Sequence, residues 1–339
     1  MNPVELLEQI PLPLLEWYRD HARDLPWRHT KDPYQILLSE VMLQQTRVAA
    51  VLDHYRRFLD AAPTIKELAA LEEDALLKLW QGLGYYRRAR NLHRAAVAVT
   101  EEHGGVFPRT YEGLLALPGV GEYTAGAVAS IAFGLPVSAV DGNVLRVVTR
   151  LTADPADVTR AAVKRAISRR LEEVMPLHAP GTFNQALMEL GATVCLPNGV
   201  PKCESCPLRA LCHAYAKGDF TYPRKPPKKP RRVEERPVYL LFWQGQVALR
   251  RRPDRGLLAG LYEYPDTLTG AAHGTPEFVG AAVHVFTHLE WHMKAYAVCS
   301  EDGSLPPDCF WAGEEDWRHT YSIPSAFAPF SSWVEERLT

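Results

Sequence analysis

"LPGVGEYTA", residues 117–125, sets one proline and two glycines between two apolar, helix-like stretches. Pro118, Gly119 and Gly121 force a tight turn. Gly121 then opens the next helix with its backbone N–H groups bare, so an anion can approach with no side-chain bulk in the way. A Gly-x-Gly turn alone is a weak signal, since any helix–turn–helix connection can carry one. The complete Leu-Pro-Gly-Val-Gly-x-x-Thr-Ala string is far more specific. Its first implication is a helical region with a phosphate-facing hairpin.

About twenty residues on, "VDGNVLRV" (140–147) puts Asp141 just ahead of an apolar-periodic helix. An aspartate there is ordinarily a helix N-cap. Upstream, "LLSEVMLQQT" (37–46) carries Glu40 among Leu37, Leu38, Val41, Met42 and Leu43. On pattern alone Glu40 either faces water on an amphipathic helix or is buried. Burial would penalise its charged form and keep it protonated, as a general acid requires. The stretches 34–60 and 64–84 keep apolar residues at three-and-four spacing, so the region before residue 220 reads as all-helical.

Four of six cysteines fall within "CLPNGVPKCESCPLRALC" (195–212), spaced Cys195-x7-Cys203-x2-Cys206-x5-Cys212. Four thiolates suit zinc or an iron–sulfur cluster, and spacing alone leaves both open, with a metal-free staple as the third reading. Lys202 and Arg209 beside these cysteines are candidate backbone contacts. Cys299 and Cys309 read as ordinary thiols. The N-terminus lacks the pattern of a signal peptide, and "YTAGAVASIAFGLPVSAV" (123–140) is broken by Gly134 and Pro136, so it reads as core and not as a membrane span. A reducing, cytoplasmic setting is expected, nucleoid-associated in a bacterium, where clustered cysteines favour metal over disulfides.

The formal net charge of −2 conceals a division. Residues 1–220 are near neutral, 221–237 carry seven basic against two acidic residues, and 238–339 carry seven against thirteen. A polyanion would therefore meet local patches, not a uniformly basic surface. "YPRKPPKKPRRVEERP" (222–237), with five prolines, reads as a stiff linker unable to continue a helix or a central strand. Beyond it, 237–252 reads as two short strands around a Gln-Gly turn, and 277–300 as further strands, giving a smaller α+β domain.

The hairpin, the following aspartate and the cysteine loop, in that order, resemble the helix-hairpin-helix DNA-repair glycosylases. SEVMLQQT, GLGYYRRARNL (82–92) and LPGVGEYTA together closely resemble the MutY family of adenine DNA glycosylases. The likeness covers most of residues 20–220. It resumes at "GLLAGLYEYP" (256–265), which looks like that family's Nudix-like domain.

This resemblance implies a mostly α helix-hairpin-helix glycosylase domain at 1–220, built as a six-helix barrel module plus a cluster module. The linker 221–237 then leads to an α+β Nudix-like domain at 238–339. It implies a [4Fe-4S] cluster on Cys195, Cys203, Cys206 and Cys212. It implies removal of adenine opposite 8-oxoguanine or guanine in double-stranded DNA, leaving an abasic site. Glu40 would protonate the adenine at N7, Asp141 would stabilise the cationic sugar, and Tyr123 and Asn143 would orient that aspartate and the nucleophile. Endonuclease III-like relatives carry lysine at the place of Tyr123, so hydrolysis without an efficient lyase step is expected.

Base extrusion leaves a gap. Gln45 and Tyr85, with Leu43 and Thr46 beside them, correspond to intercalating positions. Arg87, Arg88 and Arg90 are candidate phosphate contacts or a solvated helix face, and Gly119 and Gly121 are the further candidate DNA contacts. "VFTHLEWHM" (285–293) resembles the family's Phe-Ser-His loop, here Phe286, Thr287 and His288. Two departures stand out: Thr for Ser in that loop, and x7 for the usual x6 in the cysteine pattern. The C-terminal domain lacks a REXXEE-type acidic run, so pyrophosphate hydrolysis is not expected. The rival readings are an endonuclease III-like or thymine-mismatch glycosylase, and a cluster-bearing sensor of DNA damage without enzymatic activity. A monomer is expected.

Overall fold

In the computed structural model, which describes residues 3–227 and 230–338, the chain divides into two compact units. One is Met1–Ala70 with Asn91–Pro227; the other is Leu71–Arg90 with Lys228–Thr339. The segment 71–90, counted with the helical region in the sequence reading, thus packs within the second unit. The linker expected at 221–237 includes positions 228 and 229, which lie outside the described residues.

The first unit is helical. It holds α1 (Pro3–Leu7), α2 (Pro11–His21), α3 (Pro33–Leu43), α4 (Val48–Ala61) and α5 (Ile65–Ala69). After α6 (Glu73–Trp80) of the second unit, α7 (Arg87–His103) leads back into it. There follow α8 (Tyr111–Ala116), α9 (Glu122–Phe133), α10 (Gly142–Thr152), α11 (Ala161–Glu173), α12 (Pro180–Thr193) and α13 (His213–Lys217). Local chemistry sets the starts. Asp32 caps α3 by accepting from Tyr34 N, with Pro33 at the first helical position. Asp141 caps α10 by accepting from Asn143 N and Val144 N. Leu14, Val144, Leu151, Leu171, Phe183 and Leu187 belong to one core uniting α2, α10, α11 and α12.

The stretch 64–84 forms two helices. A capping box at Thr64 and Glu67 begins α5, and the chain breaks at residues 70–72 before α6. The reason is that the two apolar faces are buried in different units: Leu68 in the first, and Leu76, Leu77 and Trp80 in the second.

The second unit is built on a six-stranded sheet: β1 (Arg232–Trp243), β2 (Gln246–Arg251), β3 (Tyr262–Glu263), β4 (Glu277–Val285), β5 (Leu289–Cys299) and β6 (Cys309–Ala312). The order is β3-β2-β1-β5-β4, with β6 also on β2. Helices α14 (Glu314–His319) and α15 (Ser331–Leu338) complete it. Val238, Leu240 and Phe242 of β1 face a core containing Trp291, Phe327 and Val334, while Leu241 joins Ala248 and Val298 on the opposite face.

The supposed linker residues 232–237 are strand: β1 starts at Arg232 and pairs in parallel with β5 through Phe242. Proline is tolerated because β2 joins β1 only at Phe242 and Trp243. At Pro237 the other edge of the strand has no ladder to satisfy, so the missing N–H costs nothing there. Among the described residues, no helix is long and apolar enough to cross a membrane.

Candidate active site

The four residues expected to carry the chemistry converge in the first unit. Glu40, near the end of α3, is 7% exposed, so the buried alternative is the one realised. Its neighbours Ile36, Leu37 and Val41 fill the helix's buried turns. Tyr123 on the first turn of α9 donates its hydroxyl hydrogen to Glu40 Oε2, and the same hydroxyl lies 3.7 Å from Met188 Sδ. Burial pushes the Glu40 carboxyl up to about 7, and the charge of Asp141 adds to the rise. The Tyr123 hydrogen bond and the charge of Arg28 pull the other way. The Tyr123 phenol is itself driven well above its ordinary value by burial and by both carboxylates. One electrostatic neighbourhood therefore contains Glu40, Tyr123 and Asp141.

Asp141 differs from Glu40 in its partners. Its Oδ1 accepts from Asn143 N at 2.9 Å and Val144 N at 2.8 Å, and its Oδ2 accepts from Asn143 Nδ2 at 2.6 Å. Burial raises its pKa, but these three N–H donors and the charge of Arg146 all favour the anion. At the start of a helix the macrodipole does too. Being a helix cap and being a held anion are thus one geometry.

Three supporting residues carry no signal in the sequence motifs. Arg146 donates to Asn143 Oδ1 at 2.8 Å, Gly191 O at 2.8 Å and Cys195 O at 2.7 Å. Its place one turn beyond Asn143 on α10 is the clue that could have found it. Gly191 on α12 has no such clue: a Cβ there would lie 2.5 Å from Asn143 Cβ. Arg28 is held by Glu189, 2.5 Å from its Nη2, and Glu189 in turn takes Arg23 at 2.7 Å.

The remaining sites sort between the units. In the first, Leu43 ends α3 half-buried; Gln45 is exposed at φ 60° and Thr46 half-buried. Gly119 sits at φ 74°, and Gly121 is the N-cap of α9 with open space where a side chain would be. In the second, Tyr85 is 52% exposed at φ 48° and Arg87 is exposed. Both Gln45 and Tyr85 are therefore non-glycine residues in the left-handed region, a posture costing about 1–3 kcal/mol that tends to mark functional loops. Phe286 packs edge-on against Trp291 at the β4–β5 turn, leaving Thr287 and His288 exposed. The Tyr85 hydroxyl lies 3.4 Å from Thr287 Oγ1.

Cys195, Cys203, Cys206 and Cys212 line a single small, partly open cavity of about 30 Å³ with Arg150, Val194, Pro201 and Phe220. All four are free thiols. Arg150 Nη1 donates to Cys195 Sγ at 3.4 Å and to Leu196 O at 2.8 Å, and its Nε donates to Tyr222 O at 3.0 Å. Burial pushes the Cys206 thiol up to about 12 and raises Cys203 and Cys212, with the neighbouring thiols adding to each. Ionising such a set requires a cationic occupant. The donor chemistry fits a thiolate-ligated metal group, although no three His, Cys, Asp or Glu among the described residues converge on one ion. Arg209 is paired with Glu204, so its charge is partly answered within the loop, while Lys202 is exposed.

Residues 38–173 match the HhH-GPD superfamily of base excision DNA repair proteins, and residues 238–332 match the NUDIX domain. Helical region and hairpin together define a base-excision DNA glycosylase carrying an appended Nudix-type sheet domain. Human adenine DNA glycosylase is 35% identical over 392 residues, covering 92% of this chain and 71% of its own length. Among solved structures, a thermostable thymine-DNA glycosylase superposes with a TM-score of 0.58 at 31% identity, over 63% of this chain and 98% of its own. Endonuclease III trapped as a covalent intermediate with DNA gives 0.53 at 28%, over 62% and 98%. The chain belongs to the adenine DNA glycosylase family. It is a DNA-binding repair enzyme, and the family suggests an iron–sulfur cluster.

Proposed function

We propose that this enzyme hydrolyses the N-glycosidic bond of adenine opposite 8-oxoguanine or guanine and leaves an abasic site without cutting the strand. What carries the reading is the pair of buried carboxylates in one neighbourhood with different partners: burial lifts both, Glu40 to about 7, while three N–H donors on Asp141 limit its rise and favour its anion. Glu40 gives its proton to adenine N7 as the C1′–N9 bond breaks, so the electron pair leaves on a neutral base. Asp141 faces the cationic C1′, directly or as a transient ester. Water then adds at C1′, and its proton returns to Glu40. Tyr123 keeps Glu40 oriented, and Asn143 keeps Asp141 oriented. With tyrosine at 123, no amine is supplied there for a Schiff base, which favours this reading over an endonuclease III-like lyase.

Gln45, Leu43, Thr46 and Tyr85 fill the gap left by the extruded base. Gly119, Gly121 and Arg87 take backbone phosphates. Phe286, Thr287 and His288 read the opposite base, the added methyl of Thr287 narrowing the approach to its hydroxyl. In domain terms, 1–220 does the chemistry and 238–339 reads the partner base. The four cysteines hold a [4Fe-4S] cluster, supported by the shared cavity and by Arg150 at Cys195 Sγ. Bound there, the cluster would crosslink 195–212 and present Lys202; the chemistry of the bond is left to Glu40 and Asp141.

Single-turnover excision on an A:8-oxoguanine duplex, developed with heat and alkali, tests the assignment. Asp141→Asn is expected to abolish product while retaining duplex binding. Unchanged excision by that variant, or preference for thymine in a G:T duplex, would overturn it.

A further inference from the structure

The three arginines of "YYRRAR" (85–90) have three different surroundings. Arg87 is exposed, and Arg90 donates to Ala259 O at 2.7 Å. Arg88 is turned inward and is 9% exposed, directly beneath the exposed Tyr85. Its Nη2 donates to Leu83 O at 2.9 Å and Gly84 O at 3.1 Å. Its guanidinium lies 5.3 Å from the Trp80 ring centroid and 5.6 Å from that of Tyr85. The turn it braces is unusual: Gly82, Gly84 and Tyr85 all have positive φ, and Trp80 Nε1 also donates to Gly84 O at 3.0 Å. A tyrosine does not adopt φ 48° unaided; something must over-determine it.

We propose that Arg88 is the positioning residue that holds Tyr85 outward for insertion into the DNA stack, by clamping the two carbonyls before it and supporting its ring from below. The inference rests on the gap-filling role given to Tyr85 above. One guanidinium nitrogen, Nη2, takes both carbonyls while the flat face of the cation meets the rings of Trp80 and Tyr85; an ammonium could reach a carbonyl but lacks that planar face. The positive charge so close to Trp80 and Tyr85 also gives the two rings a common support, so the turn and the wedge share one brace.

The test uses the full chain and a duplex with 2-aminopurine at the target position, whose fluorescence rises when it is unstacked. Arg88→Met is expected to bind this duplex within about threefold of wild type but to lose most of the fluorescence rise, and to slow single-turnover adenine excision about tenfold or more. Arg88→Lys recovers part of both. Tyr85→Ala combined with Arg88→Met should be no slower than Tyr85→Ala alone, because the brace then has nothing to hold. A full fluorescence rise in Arg88→Met, or losses that multiply in the double variant, overturns the proposal. Should Arg88→Met fail to fold, Arg88→Lys decides it, a full rise again counting against. Tyr85→Ala behaving as wild type would instead sink the gap-filling role itself, and the brace with it.

Discussion

Glu40 shows what an acid inside a protein does to its own fold. The ordinary value is 4.5 and burial carries it to about 7, so the folded chain keeps a proton that the unfolded chain releases across that window. Because the folded state binds more protons there, stability falls as pH rises from about 4.5 to 7, by roughly 3 kcal/mol in all. Glu40→Gln should therefore melt higher than wild type at pH 8, equal it near pH 4, and have no excision activity; thermal unfolding at both pH values measures this. In the wild type, excision should fall about tenfold per pH unit above 7, as the acid is lost, which rapid-quench rates across pH 6–9 would reveal. Gly191 makes the opposite kind of demand. A methyl there must displace Asn143, so Gly191→Ala is expected to slow excision about tenfold or more while duplex affinity holds, because the aspartate's partner moves. Glu40 was conspicuous as a charge in an apolar string and Asp141 as a residue just ahead of a periodic helix, but only the family resemblance marked the two as catalytic candidates. Gly191 was not, since the contact that requires it comes from another helix.

At the scale of elements, α10 joins the proposed anion to the cysteine loop. Asp141 caps its N-terminus, Arg146 reaches Cys195 O, and Arg150, one turn further, reaches Cys195 Sγ. If the proposed cluster is held there, Cys206→Ser should lose bound iron, make 195–212 sensitive to protease, and weaken duplex binding by about tenfold or more. Iron content, limited proteolysis and fluorescence anisotropy together check this. Helix and strand textures read well from periodicity: α3, α4, β2, β4 and β5 all fall in the stretches so assigned. What was not legible has a tertiary cause: the start of β1 at Arg232 is imposed by its parallel partner β5, which no local window contains.

At the scale of the molecule, the segment 71–90 is bound into the second unit by many contacts. Ser322 Oγ donates to Leu77 O at 3.1 Å, Lys78 Nζ to Tyr321 O at 2.9 Å, and Gln81 Nε2 to Ile323 O at 3.1 Å. A chain ending at residue 227 would leave Leu76, Leu77 and Trp80 bare. It should melt lower than the full chain and take up a hydrophobic dye, whereas the full chain should not.

The backbone passes between the units three times, near residues 70, 90 and 228. Severing the connection around Lys228 would therefore not liberate the C-terminal part. The detached piece would still grip α6 and its following turn, and the nicked protein should elute as one particle until denaturant parts the fragments. Two polypeptides made separately and joined at this seam could reconstitute the enzyme.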